Sequence, residues 1–553
     1  MRKGVGVFLC ILIFSVIVSG ADAANTIKAT GAEASSKRIE RKLYFDRLRE
    51  KIQGASKEPI PDIPVSDNFS SLYEISYNKR FKCNELKFNE SSYISEKYLN
   101  SIRHRFEGKT IDNLTLQFIL NQLNTRYYKS GHYFTKAVFP PQELDDGTVN
   151  IFFIEPRIGN VTVTDNRSTS SAYIKKKTGI IEGELYQIDD VRYDMLRFNF
   201  THDIRARLSM SPGEEFSTTD VRIKVFEPGR MRTTMAVDDL GREEAGEYRT
   251  TLFHIHNSVS GRRDPISLNL VYSEGSLDSM LTYSWHNRFS STQKGITVRR
   301  TDTEIVDGSL ESLNIESELD GYTYYIKKNQ FVTSRESRNF TWLLENTESA
   351  TFFNKSKTFD STLTKLSAKW DRVIYLNTGY FYNTHTLMRG LKSLGGEATF
   401  TVYDYNEESL HHIGNGSLRK LIRFQLSDDS FINTSAQFQL GGTGTVRGYD
   451  DGLISGDNGV SISLEYNPSN PVLLGKALKG ISDSFFIDWG NIFAITDRDL
   501  QDSNHKQLMS AGYILRYSGK GHTAGITFAY PIFDHEYQND DDMKTNFYIN
   551  REF

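Results

Sequence analysis

The sequence predicts a transmembrane β-barrel of about 16 antiparallel strands, preceded by two small α/β units and an N-terminal helix. Three observations predict it. From Gly229 to Phe553, strand-length segments alternate apolar and polar residues between clusters of Gly, Asn, Asp and Ser. Residues 76–156 and 157–228 each read as a strand, two helices and two further strands. Two charges also stand out: Arg447, on the glycine-rich run Gly441–Tyr449, and Asp488, between Ile487 and Trp489 in an apolar strand. Such a charge is tolerated only if paired or wet. An Arg–Asp pair across a barrel lumen meets both conditions, and the planar guanidinium grips a carboxylate through two parallel bonds, as a Lys could not.

Composition narrows the class without settling it. The chain has 553 residues, a formal charge of -4, 29 Tyr and 35 Phe. It carries no basic signal for nucleic acid. Mean hydropathy is -0.47, which excludes a bundle of membrane helices. After the first twenty residues no run approaches the ~20 apolar residues that a spanning helix requires. A barrel also has low hydropathy, because only alternate residues face lipid. Composition alone thus fits a barrel and a soluble β-rich protein equally.

The N-terminus favours export. Arg2 and Lys3 precede the apolar run Val5–Val18, then Ala21-Asp22-Ala23. Residues 1–23 read as a signal peptide cut after Ala23. Cys10 leaves with it, so Cys83 stands alone and forms no internal disulfide. Stability in an exported chain must then come from a large core or a closed barrel.

Residues 24–53 contain a polar helix. Ser36 is its N-cap, and Ile39, Leu43, Leu48 and Ile52 give a thin apolar stripe. From Lys37 to Gln53 there are seven basic and three acidic residues. A helix polar nearly all round needs a wet setting, either the protein surface or a channel lumen that it plugs. Residues 54–75 are a linker, extended by Pro59, Pro61 and Pro64.

In residues 76–156 a strand at Phe81–Phe88 leads to a helix at about Ser92–Arg105. A second helix starts at Asp112 or Asn113, its apolar face Leu116, Leu120, Leu123 and Tyr127 spaced four, three and four, and ends at Gly131. Strands His132–Phe139 and Thr148–Glu155 follow, joined by Asp145-Asp146-Gly147. Residues 157–228 repeat the order: a strand at Ile158–Thr164, helices around Ala172–Thr178 and from Asp189 or Asp190 to Phe200, and strands running to Pro212 and over Asp220–Phe226. From 229 onward Val460, Ile462, Leu464 and Tyr466 share one strand face, as do Met509, Ala511, Tyr513, Leu515 and Tyr517.

No motif announces an enzyme. No Gly-x-Ser-x-Gly elbow, phosphate loop or His-Glu-x-x-His occurs. His254 and His256 share a strand face but have no evident third ligand. The candidate working parts are binding surfaces and a channel, with no metal or cofactor.

Two long segments carry a family resemblance. Val446-Arg447-Gly448-Tyr449-Asp450-Asp451-Gly452, followed by Ser455-Gly456-Asp457, and then Phe486-Ile487-Asp488-Trp489-Gly490, resemble the loop and strand motifs of outer-membrane transporters of the two-partner secretion family. The run from Tyr128 through Gly131, Tyr133, Thr135 and Ala137 to Gly147 resembles that family's version of the POTRA (polypeptide-transport-associated) domain. The resemblance covers nearly the whole mature chain. It implies an outer-membrane pore with two periplasmic POTRA domains (76–156 and 157–228), a plug helix and a barrel from 229 to 553. It implies that Arg447 folds into the lumen and pairs with Asp488. It further implies an unfolded, exported β-helical partner (a haemolysin, adhesin or contact-dependent toxin), bound by the POTRA region through Leu116, Leu120, Tyr127, Tyr133 and Thr135. Secretion then runs without ATP, by a monomer in contact with outer-membrane lipid. Two departures stand: Glu155-Pro156-Arg157 replaces the family's Glu-Gly-Arg, and Arg551 interrupts the apolar C-terminal face ending at Phe553. The alternatives are a Bam-type insertase of other barrels and, from another class, a soluble secreted β-rich binding protein or glycosidase.

Overall fold

The computed structural model describes residues 80–553 except 131, 133–134, 186–187, 216, 288–290, 309, 429–431, 434, 473–479, 494–506 and 534–542. The expected signal peptide, plug helix and linker lie outside the described residues. The chain divides at Pro228 and Gly229 into two compact units.

The first unit contains two α/β bodies. The first has β1 (Phe81–Lys82), β2 (Glu85–Phe88), α1 (Glu96–Phe106), β3 (Thr110–Ile111), α2 (Asn113–Lys129), β4 (Lys136–Val138) and β5 (Thr148–Ile154). Its sheet order is β2-β5-β4, parallel then antiparallel. Asp112 caps α2 by accepting from the Thr115 amide at 3.0 Å. Leu99, Ile102, Leu116, Ile119, Leu123 and Tyr127 from the helices pack on Leu86, Val149 and Ile151 from the sheet. Cys83 is in this core as a free thiol; burial, then the nearby Glu107 charge, pushes it up to about 11. The strand expected over His132–Phe139 is shorter, because the Thr135 amide turns back onto the His132 carbonyl at 3.2 Å.

The second body has β6 (Arg157–Thr164), α3 (Ser171–Thr178), α4 (Ile188–Thr201), β7 (Arg205–Pro212) and β8 (Thr218–Phe226), with sheet order β6-β8-β7. Its core joins Ile174, Met195 and Phe198 to Ile158, Val221 and Ile223. The two bodies share a device. Each ends on Glu-Pro, Glu155-Pro156 and Glu227-Pro228, and each carboxylate holds the loop before its body's first long helix. Glu155 accepts from Ser91 Oγ at 2.5 Å and the Ser92 amide at 2.8 Å. Glu227 accepts from the Ser168 amide at 2.8 Å and the Arg167 and Thr169 amides at 3.1 Å.

The second unit is a closed barrel. Its strands are β9 (Met231–Asp238), β10 (Arg249–His256), β11 (Ile266–Ser273), β12 (Ser276–His286), β13 (Thr292–Glu304), β14 (Ile315–Val332), β15 (Glu336–Phe353), β16 (Ser356–Leu376), β17 (Gly379–Leu391), β18 (Thr401–Ile413) and β19 (Gly416–Ser427). The connection that follows carries its own hairpin of β20 (Phe438–Leu440) and β21 (Ile454–Gly456). The wall resumes with β22 (Asn458–Pro468), β23 (Ile481–Phe493), β24 (Gln507–Gly519), β25 (His522–Pro531) and β26 (Lys544–Glu552). β26 pairs with β9 from Tyr548↔Asp238 to Glu552↔Thr234, closing sixteen strands. Closure satisfies the backbone that lipid cannot. No described helix is long and apolar enough to cross a membrane. Strand alternation separates the faces: Ile487 is 51% exposed on the outer wall, while Asp488 is fully buried inside.

The Glu227 cap gives a pH prediction. Burial raises its pKa, but hydrogen bonds from Thr169, Ser168 and Arg167 outweigh that and hold it below the ordinary glutamate value. A depressed folded-state pKa adds stability above the unfolded value, near 4.3, that is lost as pH falls through the folded one. Thermal melts of fragment 76–228 are expected to show Glu227→Gln costing about 1 kcal/mol at neutral pH, as cap losses do, with a shallower decline into acid. Equal cost at pH 7 and pH 3 would refute the coupling.

Candidate functional site

The site is where the long connection between β19 and β22 meets the inner wall. Local sequence brings it there. Gly441 and Gly442 both have positive φ, +106° and +82°, a conformation that favours glycine, and they turn the chain back after β20. Asp457 holds the return, accepting from the Ile432 amide at 3.1 Å and Gln437 Nε2 at 3.0 Å. Val446 and Tyr449 are buried with Phe438 and Leu440 from the connection and Ile492 and Leu508 from the wall. The Tyr449 hydroxyl lies 2.7 Å from the Phe533 carbonyl oxygen and 2.8 Å from that of Met509.

Gly490 explains its own place in the strand motif. A Cβ there would stand 2.6 Å from Leu440 Cδ2 and 3.2 Å from Val446 Cγ2. The missing side chain is the space the loop occupies. Gly448, with φ +90°, passes close to Ala529, a Cβ there reaching 3.2 Å from the Ala529 Cβ.

Arg447 sits in this packed frame. Its Nε donates to Asp488 Oδ2 at 2.7 Å and its Nη2 to Asp488 Oδ1 at 2.8 Å, a two-pronged grip. Its backbone amide reaches the same carboxylate at 3.1 Å. Its Nη1 donates to Glu465 Oε2 at 3.2 Å and its Nη2 to Ser463 Oγ at 3.1 Å. The guanidinium carbon lies 3.5 Å from the Phe486 ring centroid, a stacked contact that suits a planar cation. Phe486, Asp488 and Gly490 thus each have a distinct job: platform, counter-charge and clearance. Val446, Gly448 and Tyr449 seat the loop around them.

The network extends beyond the motif residues. Arg516 Nη2 donates to Glu465 Oε1 at 2.8 Å and its Nη1 to Ser484 Oγ at 2.5 Å. Arg419 Nε donates to Glu408 Oε1 at 3.0 Å, and the Tyr380 hydroxyl donates to the same oxygen at 2.8 Å. Sequence reasoning missed Glu465, which lies between Leu464 and Tyr466 and so on the face opposite to theirs. A carboxylate on the inner face, one strand from Asp488, was the available signal.

The proposed client residues divide differently. Leu116 and Tyr127 are each 1% exposed, Thr135 is buried and Leu120 is partly buried. They cannot be read as a contact surface: the periodic face of α2 is spent on the core. Tyr133 lies outside the described residues. The apolar residues that α2 does expose are Leu114 at 73% and Phe118 at 50%. His254 and His256 lie on the outer wall, level with Thr233 and Met231 of β9, and the described residues hold no cluster of three metal-ligating side chains.

A closed sixteen-stranded barrel with an apolar outer face, a polar inner network and a loop pinned inside defines a transporter-type barrel of the bacterial outer membrane. The sequence matches the haemolysin secretion/activation protein family ShlB/FhaC/HecB over residues 217–516 and a ShlB-type POTRA domain over residues 81–155. The chain belongs to that family. The heme/hemopexin transporter protein HuxB of Haemophilus influenzae (strain 86-028NP) is 24% identical over 509 residues, covering 85% of this chain and 88% of that protein. Among solved structures, CdiB from Escherichia coli superposes with a TM-score of 0.70 at 14% identity, covering 96% of this chain and all of that one. BamA from Haemophilus ducreyi lacking POTRA domains 1–3 reaches 0.52 at 14% identity, covering 85% of this chain and 99% of that one. These likenesses support the two-partner secretion reading over the Bam-type one. The protein is a two-partner secretion translocator of the outer membrane, its POTRA region lies in the periplasm, and its partner is a secreted protein of the two-partner type. The family is one of transporters and secretion channels. With an even strand number both barrel ends are periplasmic, so the β19–β22 connection starts on the outer side and folds inward.

The Arg447 and Asp488 geometry predicts strong non-additivity. Arg447→Ala and Asp488→Ala are each expected to loosen the loop by about 3 kcal/mol, because each strands a buried partner. The double variant is expected to be little worse than either single. Client secretion and protease sensitivity of the loop in unboiled membranes measure this. Additive losses would contradict the pairing.

Proposed function

We propose that the two α/β bodies act in tandem as POTRA domains that receive the partner unfolded, and that the loop carrying Arg447 is a movable gate in the lumen. The observation that carries the gate is the two-pronged Arg447–Asp488 grip at 2.7 and 2.8 Å. It holds the loop in the passage non-covalently, together with the Glu465 and Ser463 bonds and the packing of Val446 and Tyr449. The repeated element order and the repeated Glu-Pro closure support a second POTRA domain at 157–228.

The partner is a long β-helical protein of the haemolysin, adhesin or contact-dependent toxin kind, and HuxB, named as a heme/hemopexin transporter, adds a haem-acquisition client to that set. It crosses unfolded and folds outside. Folding beyond the membrane prevents return and supplies direction without nucleotide. Residues 24–53 plug the resting lumen and residues 54–75 tether the plug. The outer apolar wall, which includes Leu464 and Ile487, contacts lipid around a monomer.

Recognition is tested by calorimetry of fragment 76–228 against an N-terminal fragment of the client, folded and freshly diluted from urea. Binding of the unfolded form alone is expected. Its affinity is expected to be modest, because ordering the segment costs a few kcal/mol of the gross interaction. Equal affinity for both forms, or none for either, would end the receptor reading.

A further inference from the structure

The outward face of the barrel wall is charged differently at its two ends. Strand alternation fixes which side chains share that face. On β13 the exposed Val298 faces out, and Arg300 shares its face. Arg300 meets three carboxylates there: Asp302 at 3.1 Å, Glu318 at 3.6 Å and Asp320 at 3.8 Å. At the opposite end, where β15 begins and β16 finishes, the balance reverses. The exposed Trp342 marks the outward face of β15, and Glu336 and Arg338 share it. Arg338 stands level with Arg372 of β16. The Nε of each donates to one oxygen, Glu336 Oε1, at 2.6 and 2.5 Å.

The shared carboxylate builds a clamp. It holds two planar guanidiniums side by side across a strand pair, and two positive charges against one negative leave one in excess. The arginine side chains keep 37% and 32% of their surface exposed. Neither has another carboxylate partner among the described residues. The Arg338 guanidinium carbon lies 4.8 Å from the Phe331 ring centroid, a contact that orients it. Lys328, exposed and level with Phe340, adds a third cation on the same face. Beyond Asn383 the next carboxylate along the row is Glu407, and Lys420 takes it at 2.6 Å. An anion with several oxygens completes such a clamp, and guanidinium forks suit phosphate.

An apolar track leads from the clamp along the wall. The outward pairs that follow Arg338 and Arg372 on β15 and β16 are Phe340↔Trp370, Trp342↔Ala368 and Leu344↔Leu366. Ala368 is the small member, level with Trp342 on one side and with Leu387 of β17 on the other. A small residue between large ones leaves a furrow. From residue 372 to residue 366 the track runs about 20 Å along the strand, the scale of an extended acyl chain. Polar groups resume at the next pair, where Asn346 Nδ2 donates to Thr364 Oγ1 at 2.9 Å.

We propose that this is a binding site for an anionic glycerophospholipid, with its phosphate in the Arg338–Arg372 clamp and one acyl chain along the Ala368 furrow. The inference rests on the reading of this wall as lipid-facing and adds one lipid class at one place on it. The excess positive charge selects an anionic headgroup over a zwitterionic one, whose own ammonium opposes it. A phosphate at the other end would meet the carboxylates around Arg300, so the site belongs to the leaflet at the clamp's end.

The test uses the full-length transporter in mixed vesicles of phosphatidylcholine and phosphatidylglycerol, with one lipid or the other brominated on its acyl chains to quench nearby tryptophan. Trp285→Phe and Trp489→Phe leave Trp342 and Trp370, both on the track, as reporters. Phosphatidylglycerol is expected to be preferred about fivefold, the weight of one excess cation beside an anionic lipid. Arg338→Gln with Arg372→Gln in that background is expected to bring the two lipids to parity while both still quench. Arg300→Gln is expected to leave the preference unchanged. Heat-modifiable migration confirms that each barrel is folded. Millimolar inorganic phosphate is expected to have no effect, and loss of the preference in its presence would reassign the clamp to free anions. No preference in the parent, or an equal one in the clamp variant, overturns the lipid site. Quenching by neither lipid overturns the lipid-facing reading beneath it.

Discussion

The Arg447–Asp488 pair is the constraint on which the rest of the lumen depends. Asp488 is fully buried on the inner wall, and an isolated carboxylate there is too costly to keep. The wall therefore requires a cation, and the cation arrives on the loop between β19 and β22 that folds into the lumen. Everything around the pair serves that delivery. Gly441 and Gly442 turn the chain, Asp457 ties its return, Val446 and Tyr449 seat it, and Gly490 leaves the space it fills. Glu465 is shared between Arg447 and Arg516. When Arg447 departs, Glu465 keeps a partner and Asp488 loses its own. The pair is thus the loop's charged anchor, and Asp488 is the group that its release would strand.

The periplasmic bodies show the same economy at lower stakes. Glu155 and Glu227 each close a body by capping the loop before its first long helix. Asn124 and Asn199 each stitch the second long helix to the third strand of the sheet. These side chains stand in for backbone partners, which lets a three-stranded sheet stop without leaving an adhesive edge.

Much of this was legible in the sequence because period and punctuation carried it. Alternation over Val460–Tyr466 announced an outer wall, and the spacing of Leu116, Leu123 and Tyr127 announced a buried helix face. That last pattern was also where the reading went astray. Regular apolar spacing reports the core, so Leu116 and Tyr127 were never free to meet a client; the exposed residues, Leu114 and Phe118, fall off that spacing. His132 and Thr135 read as strand because aromatic and β-branched neighbours surround them, and a local turn bond overrode that propensity. The Asn and Glu-Pro devices escaped notice because a single polar residue has no period. Only comparison of the two bodies in space, residue against residue, reveals them.

A reversible cross-link between loop and wall tests the central claim most directly. The position of a Cβ on residue 490, 3.2 Å from Val446 Cγ2, suits a disulfide between Val446→Cys and Gly490→Cys with a small shift of Leu440. Cys83 is a buried free thiol and does not interfere. Client appearing in the medium is measured with the pair oxidised and then reduced in the same cells. A movable gate predicts that oxidation stops export and reduction restores it. Undiminished export with the loop covalently fixed to the wall would contradict the account.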